Sequence, residues 1–192
     1  TNADVPVAVS AAASTVGLAP KSLGSIYGEN LAQAPQSAIG QPLPTYLGDV
    51  SVVIRDSAGT AQFAPLWYRS PNQINFEAPS GTQTGVGTFT VQRDSGSMPT
   101  GSIYVQQTAP ALFTANGDGR GVVAATALRT RTGSDEQAPV AVFQCGSAPL
   151  SCVSVPIDLG VDTPVCLSLY GSGIRGRASD SAVSVSIGGK LV

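Results

Sequence analysis

Few residues in this chain are of a type that could do chemistry. Its 192 residues include no histidine, which removes a Ser-His-Asp triad, a Cys-His dyad, a His-ligated metal site and a His general base together. Carboxylates, Lys, Tyr and three cysteines remain. Asp49, Asp56, Glu77 and Asp94 are the acids from which a glycosidase pair would be drawn. All sit in or beside turns, where acids are expected for solvation, and no pair stands out. No catalytic, cofactor or metal site is assigned, and the expectation is a protein that is not an enzyme.

Cys145 and Cys152 flank the turn-rich Gly146-Ser147-Ala148-Pro149-Leu150-Ser151, between two strand-like runs. A disulfide closing this hairpin is preferred over two reduced thiols. Metal ligation is disfavoured, because the only other soft ligand is Cys166. Cys166 lies in the alternating stretch Val165 to Leu169 and is read as a buried small hydrophobe; the alternative is pairing between molecules. Asn116-Gly117-Asp118-Gly119-Arg120-Gly121 has the glycine density of a phosphate or calcium loop. It lacks the Lys-Ser/Thr pair of the first and the spaced acids of the second, so it is read as a solvated turn, as is the stretch with Arg175 and Arg177. Trp67 and Tyr68, with Tyr27, Tyr46 and Phe76, supply most of the aromatic surface. Inter-sheet packing is their favoured role, and a flat face for a glycan is the other.

The elements that must position these residues are strands. Alternating stretches such as Val50 to Ile54, Gly87 to Val91 and Ser102 to Val105 recur between turn clusters, and no helix-length window keeps an apolar face without Gly or Pro. The fold class is all-β, read as two tandem immunoglobulin-like sandwiches spanning 1–108 and 109–192. Charged residues are 11% against about 25% in an average domain, with no basic cluster, so nucleic-acid binding is not expected. There is no apolar run long enough to span a bilayer, so membrane insertion is not expected either.

An internal repeat supports the tandem reading. Ser25-Ile26-Tyr27-Gly28-Glu29-Asn30-Leu31 is echoed by Ser168-Leu169-Tyr170-Gly171-Ser172-Gly173-Ile174, and each copy is followed by a matching strand, Val50 to Ile54 and Val183 to Ile187. The first copy continues through Leu66-Trp67-Tyr68 and Gln73-Ile74-Asn75-Phe76, whereas the second has no such continuation. The second sandwich is therefore expected to lack closing strands, leaving an open edge and an uncovered core face. At the other end, Val5, Val7, Val9, Ala11 and Ala13 alternate as a one-faced strand. Burial of those side chains would contribute roughly 4–7 kcal/mol of apolar transfer. Two roles are open for it: a strand donated to another chain, or the first strand of its own sandwich.

The run Leu18-Ala19-Pro20-Lys21-Ser22-Leu23-Gly24-Ser25-Ile26-Tyr27-Gly28-Glu29-Asn30-Leu31-Ala32 resembles the opening of the Solibacter-type C-terminal domain of secreted acidobacterial proteins. Pro42 to Gly48, Ser70 to Phe76, Ala109 to Thr114, Cys152 to Gly160 and Gly171 to Arg175 follow in that family's order, and each half resembles, more weakly, a TIG-type sandwich. The resemblance implies β-sandwiches and export from a bacterial cell, and it implies no reaction. The functional expectation is a non-enzymatic extracellular or cell-surface structural or adhesive module that associates by strand addition. It would do so head-to-tail as a filament subunit, or with a partner chain supplying strands to the second sandwich. The alternative is a carbohydrate-binding or accessory module of a larger secreted protein.

Overall fold

The structure is a computed structural model that describes residues 5–96, 98–148 and 151–191. The chain is all-β, as its period-2 alternation requires. The strands in order are β1 (Val7–Ser10), β2 (Leu23–Tyr27), β3 (Gln36–Ser37), β4 (Tyr46–Leu47), β5 (Val50–Arg55), β6 (Ala61–Phe63), β7 (Leu66–Arg69), β8 (Gln73–Glu77), β9 (Gly85–Arg93) and β10 (Thr100–Val105). They continue as β11 (Ala111–Leu112), β12 (Ala125–Thr130), β13 (Gln137–Val140), β14 (Phe143–Cys145), β15 (Cys152–Ser154), β16 (Val165–Leu169), β17 (Gly171–Ser172), β18 (Ser186–Ile187) and β19 (Lys190–Leu191). Two compact units result. One comprises Thr1–Ser10, Thr15–Pro110 and Gly173–Val192, and the other Ala11–Ser14 and Ala111–Ser172. The chain thus passes between units at Pro110, two residues beyond the boundary read from the sequence, while residues 173–192 group with the first unit.

The first unit is a β-sandwich. One antiparallel sheet has the order β1-β2-β8-β7-β3 and the other β10-β9-β5-β4, with β6 added to β5. Their facing side chains form one core: Ile26, Leu66, Ile74 and Phe76 from the first sheet against Val52, Ile54, Phe89, Val91 and Ile103 from the second. Each large side chain buried there contributes about 1.5–3 kcal/mol of apolar transfer. Gly24 makes room for the largest of them, because a Cβ there would lie 2.6 Å from Cζ of Phe76. Asp56 holds the β5–β6 turn to the chain before β9: its Oδ1 accepts the N–H groups of Ala58 (3.0 Å) and Thr60 (2.9 Å) and its Oδ2 that of Gln83 (3.0 Å).

Chiefly the Gln83 N–H, with Thr60 and Ala58 and against the opposing effect of burial, holds the Asp56 carboxyl below its ordinary value of 3.8. Because the folded state lowers this pKa, its contribution to stability is complete above the unfolded value and is lost as pH falls through the folded one. Urea unfolding across about pH 2 to 6 is expected to show wild type losing stability below about pH 4, with a shallower loss in Asp56→Asn. Equal slopes would show that Asp56 is not the group responsible.

The second unit differs in kind. Its sheets are β13-β12-β16, the β14–β15 hairpin and the β11–β17 pair. Among the described residues its only buried apolar side chains are three alanines, Ala12, Ala125 and Ala127, while Leu112, Leu128, Val153, Leu159, Val161 and Tyr170 are exposed.

Three expectations are corrected. The N-terminal strand ends at Ser10 rather than running through Ala13, because Ala11–Ser14 turn, with Ser14 at a φ of 54° and the Ser10 N–H donating to the Thr15 carbonyl. The strand expected over Val183 to Ile187 shrinks to Ser186–Ile187, paired among the described residues only with Lys190–Leu191 and exposed throughout. A two-residue hairpin with no sheet or core beneath it has nothing to extend it. Cys166 is exposed rather than buried, since the face it shares with Ser168 is opposite to that of Val165, Leu167 and Leu169.

Candidate functional site

The acids do not assemble a reactive pair. Asp49 accepts from Arg69 in a buried ion pair, Asp56 is bound by three backbone N–H groups, and Asp94 accepts the Tyr46 hydroxyl at 2.7 Å, which raises the pKa of that phenol. Glu77 stands half-buried on β8. No cluster of three metal-ligating side chains exists among the described residues. The glycine-rich loop is a local turn in which Asp118 accepts the Arg120 N–H (2.8 Å) and the Thr114 hydroxyl (3.3 Å). Arg177 pairs with Asp180 on the surface, where such a pair is worth under about 1 kcal/mol. Arg175 is likewise exposed.

The expected disulfide is present. Cys145 and Cys152 face each other across the β14–β15 ladder and are joined. Closing so short a loop contributes about 2.5 kcal/mol on chain-entropy grounds. Within the loop, Pro149 and Leu150 lie outside the described residues.

Nothing in the local sequence pairs Arg69 with Asp49. Arg69 ends β7, and its guanidinium also donates to Gln36 Oε1 through Nε (3.2 Å) and Nη2 (2.8 Å), while Asp49 Oδ2 accepts the Gln33 N–H (3.2 Å). The pair pins β7, the strand next to the β3 end of one sheet, to the β4–β5 turn of the other. Gly48, at a φ of 64°, is required beside it, because any Cβ there would collide with the guanidinium. This is a structural clamp, with Nε, Nη1 and Nη2 of Arg69 each donating to a neighbouring side chain.

The aromatic candidates are more open than packing predicts. Trp67 is 42% exposed, at a register shift between Leu66 and Tyr68 where β7 meets β8. Such an irregularity re-aims side chains. Tyr68 is half-buried opposite Asn75, and Tyr27, opposite Gln73, is exposed. Asn75 Oδ1 accepts from Ser25 Oγ (2.9 Å) and Gln73 Nε2 (2.8 Å), so aromatic and amide groups share one outer sheet face.

The N-terminal strand lies antiparallel on β2, pairing Val7 with Tyr27 and Ser10 with Gly24. Ala8 and Val9 are buried, whereas Val5 (70% exposed) and Val7 (51%) face outward. Ala11 and Ala13 belong to the turn that follows. As the structure stands, this strand occupies an edge of the chain's own first sheet.

An unpaired strand edge lies on the second unit, beside a face whose residues are buried or half-buried. On β12 and β16, Ala125 pairs with Leu169, Ala127 with Leu167 and Arg129 with Val165, while Val140 of β13 stands opposite Ala127. These side chains form one mainly apolar face. The only strand pairing β16 among the described residues is β12. The Thr130 N–H donates to the Pro164 carbonyl and the Tyr170 N–H to that of Ala124. By the antiparallel alternation, the N–H and C=O groups of Val165, Leu167 and Leu169 therefore point away from β12, along a free edge.

The chain matches no protein-family model and no curated protein. The functional argument therefore rests on this geometry.

Proposed function

We propose that the protein is a non-enzymatic extracellular structural or adhesive module that associates with other chains by β-strand addition. The observation that carries this reading is the contrast between the units: the first closes around a core, while the second holds an apolar face beside an unpaired edge. A free edge offers main-chain hydrogen bonds and an apolar face offers side-chain pockets, the two components of strand addition. The disulfide fits an oxidising compartment, and no helix among the described residues is long and apolar enough to cross a membrane. The donor is the N-terminal strand of a second copy, which propagates head-to-tail into a filament, or a strand of a partner chain.

Sedimentation velocity with negative-stain electron microscopy tests the filament form. A ladder of oligomers or fibres is expected for the intact chain. Val7→Lys is the informative variant, since Val7 is outward in its own sheet and tolerates the charge there, whereas a donated strand would bury it. A monodisperse 19.3 kDa species at every concentration, or assembly indifferent to Val7→Lys, would rule out the N-terminal donor. The face bearing Tyr27, Tyr68, Gln73 and Asn75, with Trp67 nearby, supports a second reading, glycan binding. Binding on a glycan array that Trp67→Ala abolishes would favour it.

A further inference from the structure

We propose that the free edge of β16 is the docking site for one antiparallel strand of another chain, with the pattern Gln, large apolar, Asn, small apolar. This rests on the strand-addition reading above and names both its acceptor edge and its occupant.

The argument comes from the repeat. In the first unit β2 is the middle strand, with β1 on one side and β8 on the other. Tyr27 pairs with Val7 on the β1 side, and the Gly28 N–H donates to the Asn72 carbonyl on the β8 side. In the second unit Tyr170, the repeat counterpart of Tyr27, bonds Ala124 through its N–H. Thus β12 stands to β16 as β1 stands to β2, in the same register, and buried Ala125 corresponds to buried Ala8. The edge that β8 fills in the first unit is the edge that β16 leaves open.

The occupant follows residue by residue. Ile74 of β8 lies opposite Ile26, whose counterpart Leu169 asks for the same large apolar partner. Asn75 lies opposite Ser25 and accepts its hydroxyl at 2.9 Å; Ser168 repeats that serine, so an Asn belongs opposite it. Phe76 lies opposite Gly24, and its ring occupies the space a Cβ at Gly24 would need. The counterpart of Gly24 is Leu167, which fills that space, so the incoming strand must carry a smaller apolar residue there, such as Val.

The test is titration of the isotopically labelled full chain with the ten-residue peptide Ser-Pro-Asn-Gln-Ile-Asn-Val-Glu-Ala-Pro, which is residues 70–79 with Phe76→Val. The Val165, Leu167 and Leu169 amides should shift and exchange at least about ten-fold more slowly, and N-methylation of the peptide at its Ile and Val should abolish this. The unaltered sequence with Phe should bind about ten-fold more weakly, a difference that Leu167→Ala should narrow or reverse. Ser168→Ala should weaken binding by about three- to ten-fold. Binding at this edge by a peptide of residues 5–13 and not by the first peptide would overturn the occupant while leaving strand addition standing. Failure of both peptides while the chain still assembles would overturn the edge alone. Failure of both with a chain that stays monomeric would overturn the edge and the strand-addition reading together.

Discussion

Asp49→Ala is expected to destabilise the first unit by about 3–5 kcal/mol, because it leaves the Arg69 guanidinium buried without its counter-charge. Both side chains are largely shielded, 10% and 12% exposed, so water cannot replace the lost carboxylate cheaply. Gln36 Oε1 remains as an acceptor but carries no charge. The double variant Asp49→Leu with Arg69→Met removes both charges and should recover most of the loss, since a buried pair replaced by apolar groups of similar volume is often near neutral. Urea unfolding of the three variants measures this. A loss under about 1 kcal/mol for Asp49→Ala would show that the pair is effectively solvated.

The second large effect compares the two repeats directly. Ile26 and Leu169 occupy equivalent positions, one residue before Tyr27 and Tyr170. Ile26 is fully buried and belongs to the core, so Ile26→Ala should cost about 2–5 kcal/mol. Leu169 is only half-buried, so Leu169→Ala in the isolated chain should cost under about 1.5 kcal/mol. If a donor strand covers Leu169, the same change should weaken association by a further increment. Equal costs in the monomer would mean that the second unit has a closed core of its own, contrary to the account.

Much of the fold was legible because period-2 alternation is a local property. Thr100–Val105 alternates between outward and core-facing side chains along its whole length, as its sequence announces. The Cys145–Cys152 hairpin was legible for the same reason, with a turn-rich segment between two short strands. What escaped depends on partners distant in sequence. Nothing near Arg69 points to Asp49, although an arginine following Leu66-Trp67-Tyr68 in so weakly charged a chain was a usable signal. Alternation along Val165–Leu169 says which residues share a face, but only the burial of Ala125 and Ala127 opposite Leu169 and Leu167 says which face is shielded, and Cys166 is on the other. The N-terminal alternation ran on past Ser10 because alanines and a serine carry little turn signal, and the turn there is made by Ser14 in a left-handed conformation.

The candidate site was half legible. The repeat in the sequence aligns Tyr170 with Tyr27, but it does not say which edge of β16 is unpaired. That required the register of β12 on β16, from which the unpaired carbonyl and amide groups follow. The size requirement at Leu167 likewise emerged only after Phe76 was seen against Gly24.

Native-state amide exchange of the intact chain, followed residue by residue across a concentration series, tests the central claim most directly. In dilute solution the Ile26, Ile74 and Phe76 amides should exchange only through global unfolding. The Val165, Leu167 and Leu169 amides should exchange rapidly, while those of Cys166 and Ser168, turned toward β12, should be slower. With assembly or an added donor strand, the fast set should become protected. Protection of Val165, Leu167 and Leu169 in the dilute monomer, or exchange there that assembly leaves unchanged, would contradict strand addition at the second unit.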